Sequence, residues 1–201
     1  MNARLFVEGG GDQRSTLAAC RRGFSELARK MVPPGAMPRV TACGGRQSAY
    51  DDFAHAHGEG REHCLLLVDS EGPVNAEDGA WQHLARRDGW TQPDAVADDQ
   101  AHLMVQCMEA WLLADRACLA TYYGQGFKRS SLPANPAVEE ISKSDLAKRL
   151  TLATRGTKTK GAYHKTRHGF DLLSLVDAHK VETAAPWAGR FFEALRTLSG
   201  G

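Results

Sequence analysis

The sequence contains no Cys-x-x-Cys pair. Its five cysteines, Cys20, Cys43, Cys64, Cys107 and Cys118, are odd in number and scattered along 201 residues. That usage argues against a disulfide framework and against a structural zinc site, and leads us to expect small buried hydrophobes in a reducing cytoplasm. No apolar run approaches the roughly 20 residues needed to cross a bilayer, so no membrane partner is expected. The N-terminus lacks the basic-then-apolar plan of a signal peptide. Two nucleotide-loop signatures are missing as well. Gly9 and Gly11 begin a G-x-G run, but Arg14 stands where a dinucleotide loop has its third glycine, and no G-K-[ST] occurs. Nucleotide binding through "GGGDQR" is therefore disfavoured.

What is present is an uneven charge. The segment 143–167 carries eight Lys/Arg against one acid, Asp145, for +7. The whole chain is +1, so the remainder carries −6. A basic segment on an otherwise acidic protein points to a polyanionic partner, or to solvated surface.

Hydrophobic patterning predicts an α/β fold with a mainly parallel sheet of about four strands flanked by helices. "ARLFVE" reads as a strand ending at Glu8, with Asp12 as N-cap of the helix that follows. "MPRVTAC", "HCLLLVD" and "HLMVQ" read as three more strands. "HCLLLVD" is a continuous apolar run suited to a central strand buried on both faces. "QSAYDDFAHAH", "NAEDGAWQHLARRD" and "CMEAWLLAD" read as the intervening helices. From about Arg116 the pattern is helical: "SDLAKRLTLAT", "FDLLSLVDA" and "APWAGRFFEALRTL". The expected division is an α/β domain over 1–115 and a helical extension over 116–201, packed on the first and carrying the basic segment. Trp81, Trp90, Trp187, Phe191 and Phe192 read as core or interface.

In an open parallel sheet, chemistry collects at the C-terminal ends of the strands. Three such ends supply Glu8, "CGGRQS" with Arg46, and "VDSEG" with Asp69 and Glu71. Crowded carboxylates repel, and a hard divalent cation relieves the repulsion. Glu8, Asp69 and Glu71 are thus candidate ligands for Mg²⁺ or Mn²⁺; the alternative is a helix cap, a turn residue and surface charge. "VQCMEAWLLAD" adds Gln106 and Glu109 near the same edge, as an extra carboxylate and its neighbour or as an ordinary helix start. Arg46 reads equally as a phosphate contact or a structural ion pair. "TRGTKTKGAYHKTRHGF" offers Lys158, Lys160, His164, Lys165 and Arg167 as phosphate contacts, with Tyr163 and Phe170 as stacking faces. A solvated loop and docking on an acidic protein are the other readings. His164 and His168 are four apart but no third ligand accompanies them, so zinc is not expected.

E-G before a capped helix, with D-x-D after a later buried strand, is the signature of the Toprim superfamily, and the chain resembles it in "VEGGGD" and "LLLVDSEG". The resemblance implies a Mg²⁺-dependent phosphodiester site. Glu8 would match the general acid/base glutamate, and Asp69 and Glu71 the metal-binding pair, with Asp12 nearby. Glu71 departs from the more common Asp; its extra methylene moves the carboxylate by about 1.5 Å and keeps the charge. "CGGRQSAYDDF", "HLMVQCMEAWLLAD" and "KGAYHKTRHGFDLL" extend the resemblance, over nearly the whole chain, to small stand-alone Toprim-like bacterial proteins. These are often encoded beside an ABC-type ATPase, and some such pairs are anti-phage defence systems with the Toprim protein as nuclease effector. The expectation is a metal-dependent nuclease acting on DNA or RNA, with nucleic acid and an ATPase as partners and a homodimer admitted. The alternative is a non-catalytic or regulatory module binding nucleic acid or the ATPase.

Overall fold

The computed structural model describes residues 2–33 and 35–198. Four strands, β1 (Ala3–Gly10), β2 (Arg39–Gly44), β3 (His63–Asp69) and β4 (Ala101–Met104), form one sheet. All pairings are parallel, in the order β2-β1-β3-β4. From β1 the chain moves to one side to form β2, then crosses back to place β3 on the other. The strand order therefore reverses between β1 and β3, and the crevice beyond their C-terminal ends is the switch point of this sheet.

Side-chain alternation divides the core in two. Phe6, Leu66, Val68 and Leu103 face α2 (Arg46–Gly58) and α3 (Ala80–Asp88), where they pack with Phe53, Trp81 and Leu84. Leu5, Val7, Leu65 and Leu67 face the opposite way. That second face is covered by α1 (Arg14–Arg29) and by the helices of the C-terminal half. These are α4 (Met108–Ala114), α5 (Arg116–Tyr123), α6 (Lys143–Thr154), α7 (Phe170–Leu175), α8 (Ala178–Ala184) and α9 (Pro186–Thr197). Trp111, Leu150, Phe170, Phe191 and Phe192 belong to the same buried cluster as Leu5 and Val7. Each leucine-sized side chain buried there contributes about 2 kcal/mol. Trp81, Trp90, Phe191 and Phe192 are core residues as expected, whereas Trp187 is half-buried. No described helix is long and apolar enough to cross a membrane.

Several element ends differ from the sequence expectation. β1 continues past Glu8 to Gly10, its register slipping against Gly44 at Gly9/Gly10. Because the strand runs longer, α1 starts later. Gln13 holds the cap position and Asp12 is exposed and does not cap. The Thr16 hydroxyl instead donates to the carbonyls of Gly10 and Gln13. α3 begins only at Ala80, after Gly79 in extended conformation, and β4 leaves the ladder after Met104.

Gly10 has φ +93°, and a Cβ there would sit 2.9 Å from Leu17 Cα. Its role is the tight turn of β1 into α1. A Cβ on Gly23 would sit 2.6 Å from the Phe170 carbonyl oxygen. α1 and the start of α7 thus approach backbone to backbone, which draws the chain after Lys165 onto the sheet.

Candidate functional site

The parity of the strands decides which way each acid points. Glu8 shares the parity of Phe6 and leans toward α2 and α3. Asp69 shares the parity of Leu65 and Leu67 and leans toward the C-terminal helices. The two meet across the β1/β3 seam, where the Asp69 N–H donates to Glu8 Oε2 at 3.1 Å. Glu71 follows β3 at φ +65°, an uncommon left-handed conformation for a glutamate. Its N–H donates to the Gln106 carbonyl at 2.8 Å. Glu8, Asp69 and Glu71 each offer one carboxylate oxygen, and those oxygens lie within 4.8 Å of one another. Three hard oxygen donors at this spacing fit Mg²⁺ or Mn²⁺.

Each acid has a basic neighbour. Arg46, the first residue of α2, donates from Nη1 to Glu8 Oε2 at 3.0 Å and also to the Asp69 carbonyl. Its Nε and Nη2 form a bidentate pair with Asp88 at 2.9 and 2.7 Å, and the guanidinium stacks 5.0 Å from the Trp90 ring centre. Lys143, the first residue of α6, donates to Glu71 Oε1, with Arg87 3.9 Å from Glu71 Oε2. Lys165 donates to Asp69 Oδ2 at 3.1 Å and lies 3.7 Å from Glu109 Oε2. Asp69 Oδ1 accepts the Met108 N–H at 2.8 Å.

These surroundings set the ionisation. Burial raises the Glu8 pKa, the Asp69 charge adds to this, and Arg46 opposes it. Asp69 is 2% exposed; burial lifts its pKa against the pull of Lys165. For Glu71 burial acts upward, but the hydrogen bond and charge of Lys143, with Arg87, outweigh it and the net shift is down. Lys165 is desolvated, which alone would lower its pKa; the charges of Asp69 and Glu109 reverse that and hold it protonated.

The remaining sequence candidates fall into place around this centre. Glu109 sits in the first turn of α4, 7% exposed. It accepts the Tyr163 hydroxyl at 3.0 Å through Oε1, and its Oε2 has no hydrogen-bond partner. Gln106 does not join the carboxylates. Its carbonyl fixes Glu71, and its side-chain Oε1 accepts the Lys143 N–H at 3.3 Å. Asp12 remains on the surface. Arg46 is engaged by acids on both sides.

The basic segment divides. Lys158, Lys160, His164 and Arg167 are exposed, with Lys160 Nζ 4.0 Å from the Tyr122 ring centre. Lys165 instead points into the site. Tyr163 and Phe170 do not present the expected stacking faces. Tyr163 spends its hydroxyl on Glu109, and Phe170 is buried against α1. His168 is buried against Tyr123, so it and the exposed His164 do not form a metal pair.

Lys143, Asp88, Arg87 and the Tyr163 hydroxyl are site residues that the sequence reading missed. Only Lys143 carried a local signal: it follows Ser142, whose side chain caps α6 through the Asp145 N–H.

A family model described as a domain of unknown function (DUF4276) matches residues 7–196. No curated protein and no solved structure matches the chain.

Proposed function

The chain belongs to the DUF4276 family, and we propose that it is a divalent-metal-dependent nuclease that hydrolyses DNA or RNA phosphodiesters at the β1/β3 crevice. The observation that carries this reading is the meeting of Glu8, Asp69 and Glu71 oxygens within 4.8 Å at the sheet's switch point. These three residues would hold Mg²⁺ or Mn²⁺, which when bound supplies Lewis-acid polarisation of a phosphodiester oxygen and of attacking water.

The protein's own groups support the remaining work. Glu8 Oε2 is fixed by the Asp69 N–H and Arg46, while Oε1 takes no hydrogen bond among the described residues. That free oxygen, on a carboxyl whose pKa burial has raised, suits proton transfer. Lys143 and Lys165 stand beside the metal-binding carboxylates and can turn to a phosphate once a cation takes those oxygens. Charge counting agrees. Glu8, Asp69, Glu71, Asp88 and Glu109 face Arg46, Arg87, Lys143 and Lys165, a net −1 when all are ionised. One divalent ion and one phosphodiester bring the site to neutrality. Exposed Lys158, Lys160 and Arg167 extend a positive surface along the backbone of a nucleic acid. Action as the effector of an anti-phage system under an ABC-type ATPase rests on the sequence resemblance and forms part of the same proposal.

The engagement of Asp69 and Glu71 by lysines favours a second reading, a non-catalytic module that docks on nucleic acid or the ATPase. One experiment separates them. The purified chain is incubated with duplex DNA, single-stranded DNA and RNA in Mn²⁺ or Mg²⁺, with and without the co-expressed ATPase, beside Glu8→Gln and Asp69→Asn. Metal-dependent cleavage lost in both variants supports the nuclease. Absence of cleavage in every arm, with no Mn²⁺ bound by calorimetry, leaves the module.

A further inference from the structure

A second concavity lies at the other end of α4. There α5, α8 and the 129–138 segment border an open cavity of about 560 Å³, within the range of small-ligand sites, about 300–1,000 Å³. Leu113, Ala114, Pro136 and Val138 give it apolar walls, while Arg116, Arg129, His179 and Lys180 stand among its lining. α4 begins beside Glu109 and ends at this cavity. Its seven residues span about 10 Å, so the cavity is separate from the carboxylate site.

The charges around the cavity are unevenly matched. Its one acid, Asp115, is 5% exposed and fully committed. It accepts the Cys118 N–H at 3.2 Å, the Asp177 N–H at 3.1 Å and Lys180 at 2.8 Å. The next acids are also engaged by groups other than the arginines. Asp177 accepts the His179 N–H at 2.9 Å, Glu139 the Trp187 N–H at 3.0 Å, and Glu140 the Asn135 amide at 2.9 Å. The Arg129 side chain makes no hydrogen bond or ion pair among the described residues, and Arg116 reaches only the Asn135 carbonyl, at 3.0 Å. Two guanidinium groups without a carboxylate, over an apolar wall, match an anion joined to an apolar or planar body. Their planar forks suit phosphate oxygens in particular.

We propose that this cavity binds a phosphorylated small molecule of nucleotide size, its phosphates on Arg116 and Arg129 and its body against Leu113, Pro136 and Val138. This does not depend on the nuclease reading. The test is calorimetric titration of the full chain with ATP, AMP and inorganic phosphate, in EDTA so that the carboxylate site cannot capture a metal–nucleotide complex. Saturable binding of a nucleotide is expected at micromolar to sub-millimolar concentration. It should weaken about tenfold in Arg129→Ala and at least as much in Ala117→Trp, which fills the cavity from an exposed position. Both variants should keep the native melting temperature. The proposal is overturned by any of three results: no saturable binding up to millimolar nucleotide, affinities unchanged in both variants, or inorganic phosphate binding as tightly as the nucleotides.

Discussion

Glu8 and Asp69 are joined through the main chain of one and the side chain of the other: the Asp69 N–H donates to Glu8 Oε2 at 3.1 Å. The pairing locks one oxygen of Glu8 against β3 and leaves the other free at the strand ends. Glu8→Gln can present an amide oxygen to the same N–H and to Arg46, so the fold should persist. It cannot accept a proton. Under the nuclease function proposed above, cleavage should fall by roughly 10²–10⁴-fold with little change in melting temperature. Native-rate cleavage by this variant would remove Glu8 from proton transfer.

Lys165 is the cation between Asp69 and Glu109, at 3.1 and 3.7 Å. Replacing it by Met leaves two buried carboxylates facing one another. Breaking a buried pair in this way costs about 3–5 kcal/mol; the lysine side chain as a whole is 41% exposed, which places the expected loss at the lower end. A divalent cation should return part of it. The measurement is the melting temperature with and without 5 mM Mn²⁺ (about that concentration suffices for a weak site). The Mn²⁺ increment should be larger in Lys165→Met than in the native chain. Equal increments would show that the ion does not take the place Lys165 now holds.

Arg46 holds two acids at once, with a bidentate grip on Asp88 and a third donor on Glu8. Lysine cannot reproduce that fork. Arg46→Lys should destabilise by about 2–3 kcal/mol in urea unfolding. In steady-state cleavage a positioning role lowers kcat with KM nearly unchanged, because Glu8 loses its orientation. A direct phosphate contact would instead raise KM. The geometry favours the first outcome.

The legible parts of this fold are those set by local pattern. Continuous apolar runs marked β3 and its terminal Asp69, and the strand-to-helix alternation gave the parallel sheet. The proximity of Glu8, Asp69 and Glu71 was legible because strand ends are where an open sheet gathers loops. Other features were not legible, because they depend on which helix crosses which strand end. Lys165 reads in the sequence as one phosphate contact among several in a basic segment. It enters the site because Gly23 admits Phe170 against α1 and draws the preceding turn inward. Tyr163 read as a stacking face for the same reason. Asp88, 42 residues from Arg46, had no sequence signal linking it to that arginine. Asp12 failed as a cap because β1 runs on to Gly10, a length its glycines disguise.

His102 gives a prediction that does not involve the carboxylates. It lies on β4, 4% exposed, against the Phe191 ring at 5.4 Å, and its Nε2 has no hydrogen-bond partner. Burial pushes its pKa down from 6.5 to about 4, opposed only in part by the Asp99 carbonyl. The folded state therefore binds the proton less readily than the unfolded chain. Between those two values the unfolded state holds more protons, so stability rises with pH. The contribution is fully present above about pH 6.5 and is lost as pH falls toward 4. Its ceiling is on the order of 3 kcal/mol. His102→Leu removes both the titration and the unpartnered nitrogen. Urea unfolding at pH 7.5 and pH 5 should show a smaller acid loss in the variant than in the native chain, the difference approaching 2 kcal/mol (roughly 1.5 pH units of slope). Identical pH slopes would mean that the imidazole reaches solvent or a hydrogen-bond acceptor in the folded state.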